Sequence, residues 1–122
     1  MSNCLCQGAS NLIFACSGAA DVGAVADRAA RQLTAEGVGK MFCLAGIGGR
    51  VSGIMKTTAA ADQLLAIDGC PMDCARKTLE EAGFSGFAHL QLGAIGMAKG
   101  QTPATDTAIA QAAEAGRGML GA

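Results

Sequence analysis

The chain has 122 residues, which is the length of one domain with a core of its own. It is 51% hydrophobic, has a formal net charge of −1 at pH 7, and contains four Phe but no Trp or Tyr. Nucleic-acid binders usually carry a basic patch and stacking aromatic side chains, so we expect no nucleic-acid partner. The apolar runs are strand-sized, far below the roughly 20 residues of a spanning helix, so we expect no membrane partner.

The first ten residues are small and polar, and we predict a flexible arm over residues 1–10 that carries Cys4 and Cys6. This start has no basic residue and no sustained apolar stretch, so we expect no signal peptide and a cytoplasmic location. Thiols stay reduced in the cytoplasm, and six cysteines there indicate metal ligands or redox groups before disulfides. We interpret Cys4 and Cys6 as an incidental exposed dithiol; the alternative is that they exchange metal with a main site or a partner.

Strand-like and helical patterns alternate along residues 11–122. Apolar runs predict strands over residues 12–16, 40–45, 64–68 and 87–92. Helical spacing and capping residues predict helices from Asp21 to about Gly37, weakly over 51–62, from Pro71 to Gly83, and from about 102 to 116. The alternation predicts one α/β domain, with a mostly parallel sheet of about four strands in the order 2-1-3-4 and helices on both faces.

Three cysteines, Cys16, Cys43 and Cys70, stand where a strand-like run gives way to a glycine-rich turn. Cys43 follows Cys16 by 27 residues, and Cys70 follows Cys43 by 27, about one strand-plus-helix unit. Because parallel strands end at one edge of a sheet, we expect these thiols to gather at the topological switch point. Cys74 follows Cys70 by one turn of a predicted helix, whose N-terminus favours thiolate. With strands ~4.8 Å apart and Zn–S bonds of ~2.3 Å, four such sulfurs can surround one ion.

Spacing alone leaves three interpretations of these cysteines open: a metal site, a redox centre, or small buried residues at tight turns. Free cysteine is among the most buried residue types, so packing explains any single one of them equally well. A closed set of four thiolates would hold zinc in a structural, sensory or storage role, because no position remains for a water. The same set suits a [4Fe–4S] cluster, and Cys70 with Cys74 suits a thiol redox enzyme.

Three further residues carry weaker signals. Cys70 and Arg76 have the Cys-(x)5-Arg spacing of thiol phosphatases, but Pro71 removes an amide donor and no glycine lies between them, so we interpret Arg76 as a solvated helix residue. His89 is the only histidine and is interpreted as a half-buried strand residue rather than a ligand. Asp68 is predicted to accept backbone N–H groups beside Cys70 and to favour a tight bend there.

Three segments of the chain resemble the DGC-domain family of zinc-binding proteins. Residues 67–75 (IDGCPMDCA) are similar to the central motif of the family, and residues 16–23 (CSGAADVG) and 43–49 (CLAGIGG) are similar to its two other cysteine segments. The resemblance covers nearly the whole chain, and the three matches occur in order. It implies Zn²⁺ as the cofactor and four zinc-chelating cysteines, which map to Cys16, Cys43, Cys70 and Cys74. It implies no reaction, because the biochemical role of the family is unassigned.

Overall fold

The computed structural model describes residues 10–122, so Cys4, Cys6 and the predicted arm up to residue 9 lie outside the described residues. Four strands pair in parallel in the order β2-β1-β3-β4, which confirms the predicted α/β class and strand order. The strands are β1 (Asn11–Ala15), β2 (Lys40–Met41), β3 (Gln63–Asp68) and β4 (Ala88–Gln91). The helices are α1 (Asp21–Ala35), α2 (Leu44–Gly48), α3 (Ser52–Ala59), α4 (Cys74–Glu81) and α5 (Asp106–Met119), with a 3-10 turn at Leu92–Ile95.

The two faces of the sheet are covered by two hydrophobic clusters, because successive strand residues point to opposite faces. Ile13 and Ala15 of β1 face α1 and α5, where alanines and Leu33 pack closely. Leu12 and Phe14 face the other side, where α2, α3 and α4 contribute mainly aliphatic side chains. Within residues 10–122, none of the helices has both the length and the apolar character that crossing a membrane requires.

The predicted second strand over residues 40–45 is wrong beyond Met41. Phe42 still donates its backbone N–H to the carbonyl of Ile13 at 2.8 Å, but Cys43 then caps the short helix α2. The glycines of this segment were expected to form a turn. They form a helix instead, because Ile47 is fully buried against the sheet and Gly46 has no side chain to displace Ile54.

The helix predicted from Pro71 begins three residues later, at Cys74. Residues 70–73 form a turn closed by the N–H of Asp73 and the carbonyl of Cys70, at 3.3 Å. Asp73 has a φ of 55°, a left-handed conformation that a helix cannot contain. The prediction that one turn of helix separates Cys70 from Cys74 is therefore wrong, since Cys70 lies before the helix.

The remaining helix ends differ from the predictions by a few residues. Helix α1 begins at Asp21 as predicted, and Gly37 follows it with a φ of 78°, the usual conformation just past a helix end. Helix α5 begins at Asp106 rather than near residue 102, because the Thr105 hydroxyl accepts the N–H of Ala108 at 3.1 Å and caps the helix there.

Candidate thiol site at the carboxyl edge of the sheet

The four predicted ligands lie in the segments that follow the carboxyl ends of the first three strands. Cys16 directly follows β1, Cys43 follows β2 by two residues, Cys70 follows β3 by two residues, and Cys74 is the first residue of α4. All four are free thiols. Cys16 and Cys70 are half-buried, whereas Cys43 and Cys74 are exposed. The sheet topology thus brings the four cysteine segments to one edge, as the spacing predicted.

Cys16 is held against the loop that carries Cys70. Its N–H donates to the carbonyl of Ile67 at 3.1 Å, which continues the pairing of β1 with β3 by one residue. Its sulfur accepts the N–H of Gly69 at 3.4 Å. The sulfur of the first cysteine segment therefore lies beside the backbone of the residue that precedes Cys70.

Cys43 is held by the start of α2, where its sulfur accepts the N–H of Gly46 at 3.3 Å. Cys43 and Cys16 line one cleft of ≈ 560 Å³. Arg31 of α1 and Thr78 of α4 line the same cleft, which opens between these two helices and the loop after β2. The cleft therefore joins the first and second cysteine segments.

The four sulfurs do not form a closed tetrahedral cage in this structure. Among residues 10–122, one group of three or more possible metal ligands has all its ligand atoms within 4.8 Å of one another, and it consists of Asp68, Asp73 and His89. Four cysteines are nevertheless the donor set that structural zinc sites use. The four-cysteine ligand set stays a prediction.

Two glycines let the start of α1 pack directly against the cysteine loops. A Cβ atom on Gly69 would lie 2.5 Å from the carbonyl oxygen of Val22, and one on Gly23 would lie 2.5 Å from the carbonyl oxygen of Gly18. Neither glycine has a positive φ, so the requirement is close approach of backbones rather than an unusual conformation. The glycine of the Asp-Gly-Cys triplet thus sets the distance between the loop after β3 and α1.

Asp68 caps α4 from the end of β3. Its side chain is 1% exposed, with Oδ1 accepting the N–H of Ala75 at 2.7 Å and Oδ2 accepting the N–H of Arg76 at 3.0 Å. These amides belong to the first turn of α4 and would ordinarily be bound by the residue just before the helix. That residue is Asp73, whose side chain accepts none of them. The structure confirms that Asp68 accepts backbone N–H groups, but they lie in α4 rather than beside Cys70.

His89 is hydrogen-bonded to Asp68 and lies close to Asp73. Its Nε2 lies 2.9 Å from Oδ2 of Asp68 and 3.6 Å from Oδ1 of Asp73, while Asp73 Oδ2 accepts a hydrogen bond from Arg76 Nη2 at 3.0 Å. His89 is a half-buried strand residue, as predicted. Arg76 lies on α4, but it is half-buried and paired rather than free in solvent. The pairing of His89 with the carboxylates depends on the β3–β4 register, which has no local sequence signal.

Two carboxylates of α1 each hold a loop, because Asp21 binds the segment at residues 100–102 and Asp27 binds Ser17, next to Cys16. The pKa of Asp21 lies below its ordinary value, mainly because the backbone N–H of Gly100 donates a hydrogen bond to it. Burial raises this pKa, but hydrogen bonds from the backbone of Thr102 and Val22 lower it further. Burial raises the pKa of Asp27, but hydrogen bonds from Arg31 and Ser17 outweigh it, so this pKa also lies below its ordinary value. Both side chains therefore act as anionic acceptors at neutral pH.

These features define a single α/β domain with four free thiols around an Asp-Gly-Cys triplet at the carboxyl edge of a parallel sheet. The model of the DGC domain matches residues 12–115, and the chain belongs to the DGC-domain family. It is similar to the "Anaerobic and virulence modulator AnvM" of Pseudomonas aeruginosa, with 33% identity over 88 residues, which cover 72% of this chain and 67% of that protein. No solved structure matches the chain.

Proposed function

We propose that the protein binds Zn²⁺ through Cys16, Cys43, Cys70 and Cys74, in a structural, sensory or metal-handling role. The observation that carries the proposal is the hydrogen bond from the N–H of Gly69 to the Cys16 sulfur. It keeps a sulfur from the loop after β1 against the loop that bears Cys70.

The exposure of the cysteines supports metal uptake from solution. Cys16 and Cys70 are half-buried, and Cys43 and Cys74 are exposed. An ion could reach all four without unfolding of the core. The four sulfurs would have to draw closer to bind one ion.

The chemistry of the donor set limits the role of the metal. Four thiolates fill the coordination sphere of zinc and leave no position for a reacting water, so hydrolysis is not expected. The relative from P. aeruginosa is named a modulator, which agrees with a sensory role better than with hydrolysis. We therefore favour a sensory or structural metal site.

Metal analysis of protein purified anaerobically, without added metal, tests the proposal. Wild-type protein is expected to carry about one equivalent of zinc. Single serine variants of Cys16, Cys43, Cys70 and Cys74 should each lose most of the metal. The matched control is the double variant Cys4→Ser, Cys6→Ser, which removes two thiols outside the proposed set and should keep the zinc.

Three outcomes would contradict the proposal. Zinc-free wild-type protein with four titratable thiols in residues 10–122 would exclude it. Brown protein with iron and visible absorption would indicate a [4Fe–4S] cluster instead. Metal-free protein that forms a reversible Cys70–Cys74 disulfide would indicate a thiol redox enzyme.

A further inference from the structure

We propose that His89 is a positioning residue that holds Asp68, the carboxylate that caps α4 from the end of β3, and so sets how Cys74 at the start of α4 is presented to a metal beside Cys70. The inference rests on the proposed function only where it speaks of a metal; the contacts of His89 are independent of it. Asp68 lies two residues before Cys70, and Asp73 lies one residue before Cys74. His89 Nε2 is within 3.6 Å of a carboxylate oxygen of each.

The hydrogen on the His89 ring follows from the partners of Asp68. A carboxylate is an acceptor only, and Oδ2 of Asp68 also accepts the N–H of Arg76. His89 Nε2 must therefore donate to this oxygen, which fixes the hydrogen on Nε2. The ring is carried by β4, whose backbone pairs with β3 at Ala66 and His89. The donor thus stands on the rigid sheet rather than on the loop that it holds.

Asp73 lies beside the same nitrogen but is not hydrogen-bonded to it. Among the residues that the structure describes, Oδ1 of Asp73 is a buried atom with no hydrogen-bond partner, and His89 Nε2 lies 3.6 Å away. Asp73 also has a φ of 55°, which a non-glycine residue keeps only where its surroundings hold it. The hydrogen bond from Arg76 to Oδ2 of Asp73, and the turn that its own N–H closes on the carbonyl of Cys70, supply that hold.

Loss of the Nε2 donor would act on the thiols through Asp68. The buried carboxylate would lose one of its three N–H partners and would hold the first turn of α4, which begins at Cys74, less firmly. The turn over residues 70–73 could then relax, and Cys74 would move relative to Cys70. Residues that orient metal ligands without binding the metal typically contribute a factor of about 10–100 to metal affinity.

Two polar variants of His89 distinguish loss of the Nε2 donor from loss of the histidine ring. Glutamine places its amide nitrogen near the position of Nε2, whereas asparagine reaches only to the position of Nδ1. Zinc affinity, measured by competition with a chromophoric chelator, should fall about 10–100-fold in His89→Asn. His89→Gln should stay within about threefold of wild type.

Thiol reactivity in zinc-free protein gives a second readout that does not depend on metal. Alkylation rates of Cys74 and Cys43 are compared by peptide mapping, because the Cys43 sulfur is held by α2 and not by His89. The ratio of the Cys74 alkylation rate to the Cys43 alkylation rate should differ from wild type in His89→Asn and match wild type in His89→Gln. Urea unfolding of each variant reports its global stability.

The inference is overturned if His89→Asn leaves both the zinc affinity and the rate ratio at wild-type values. It is also overturned if all thiols accelerate together in proportion to a loss of global stability, because His89 would then be structural only. If wild-type protein binds no zinc, the proposed function fails, and the rate ratio alone decides the role of His89.

Discussion

Two cysteine segments at the same edge of the sheet are held in place by different means. The loop that follows β1, residues 16–20, is fixed by backbone packing, with Gly23 of α1 seated against Gly18. Its side-chain anchor, the hydrogen bond from Ser17 to Asp27, lies near the surface. The segment that follows β3 is fixed by buried side chains, with Asp68 bound to α4 and to His89.

The two segments should therefore differ in what they tolerate. The first should be sensitive to added volume at Gly23, where α1 is seated against it, and insensitive to a change of polar groups, because no polar side chain is buried in it. The second should be sensitive to a change of hydrogen-bond donors or acceptors. Gly69 is the exception in the second segment. It packs against the backbone of α1, so added volume is not tolerated there either.

The largest effect is expected for Gly69→Ala. The new Cβ would lie 2.5 Å from the carbonyl oxygen of Val22, and neither backbone can move without displacing a helix or a strand. We expect the free energy of unfolding to fall by about 3 kcal/mol, measured by urea denaturation. Gly18→Ala is the matched control, since none of the described atoms lies within 4 Å of its Cβ, and it should change stability by less than about 1 kcal/mol. Equal losses in the two variants would disprove the proposed contact.

Asp68→Asn should have the next largest effect. Asp68 accepts three N–H groups with its two oxygens, and the amide NH2 of asparagine would face a buried donor. A loss of about 2 kcal/mol in unfolding free energy is expected for the unsatisfied group. Asp106→Asn, on an exposed carboxylate at the start of α5, should change stability by less than about 1 kcal/mol. A loss in Asp68→Asn no larger than that of this control would show that the buried network contributes little.

The smallest effect, and the one that depends on pH, is expected at Asp21. Its oxygens accept the N–H groups of Val22, Gly100 and Thr102, and its pKa lies below the ordinary value of 3.8. A folded-state pKa that is lowered means that the stabilisation is present above pH 3.8 and is lost as the pH falls through the lower, folded-state pKa. The difference in unfolding free energy between wild type and Asp21→Asn should therefore be larger at about pH 7 than at about pH 3. A difference that stays constant with pH would contradict this assignment.

Strand order and the gathering of the cysteines could be predicted from the sequence, because both depend on local apolar runs and on how parallel sheets are connected. A run such as residues 12–16 has no polar residue to face solvent, so it must be buried on both sides. Cys16, at the end of that run, is then placed at the edge by topology alone. The same reasoning placed Cys70 after β3.

The features that could not be predicted depend on contacts between distant residues. Helix α2 contains two glycines, whose low helix propensity predicts a turn. The helix forms because Ile47 is buried against the sheet. Pro71 favours the first position of a helix, yet α4 begins at Cys74, where Asp68 binds the amides of the first turn. The pairing of Asp68 with His89 spans 21 residues and needs the strand register.

The cap that Asp68 provides to α4 has a consequence for hydrogen exchange. Amides in the first turn of a helix ordinarily exchange quickly, because they lack a partner within the helix. Here the amides of Ala75 and Arg76 are bound by a buried carboxylate at the end of a central strand. These bonds tie the first turn of α4 to the sheet, so the two amides should exchange more slowly than the first-turn amides of a helix without a cap. The first turn of this helix is thus anchored to the sheet as well as to the helix to which it belongs.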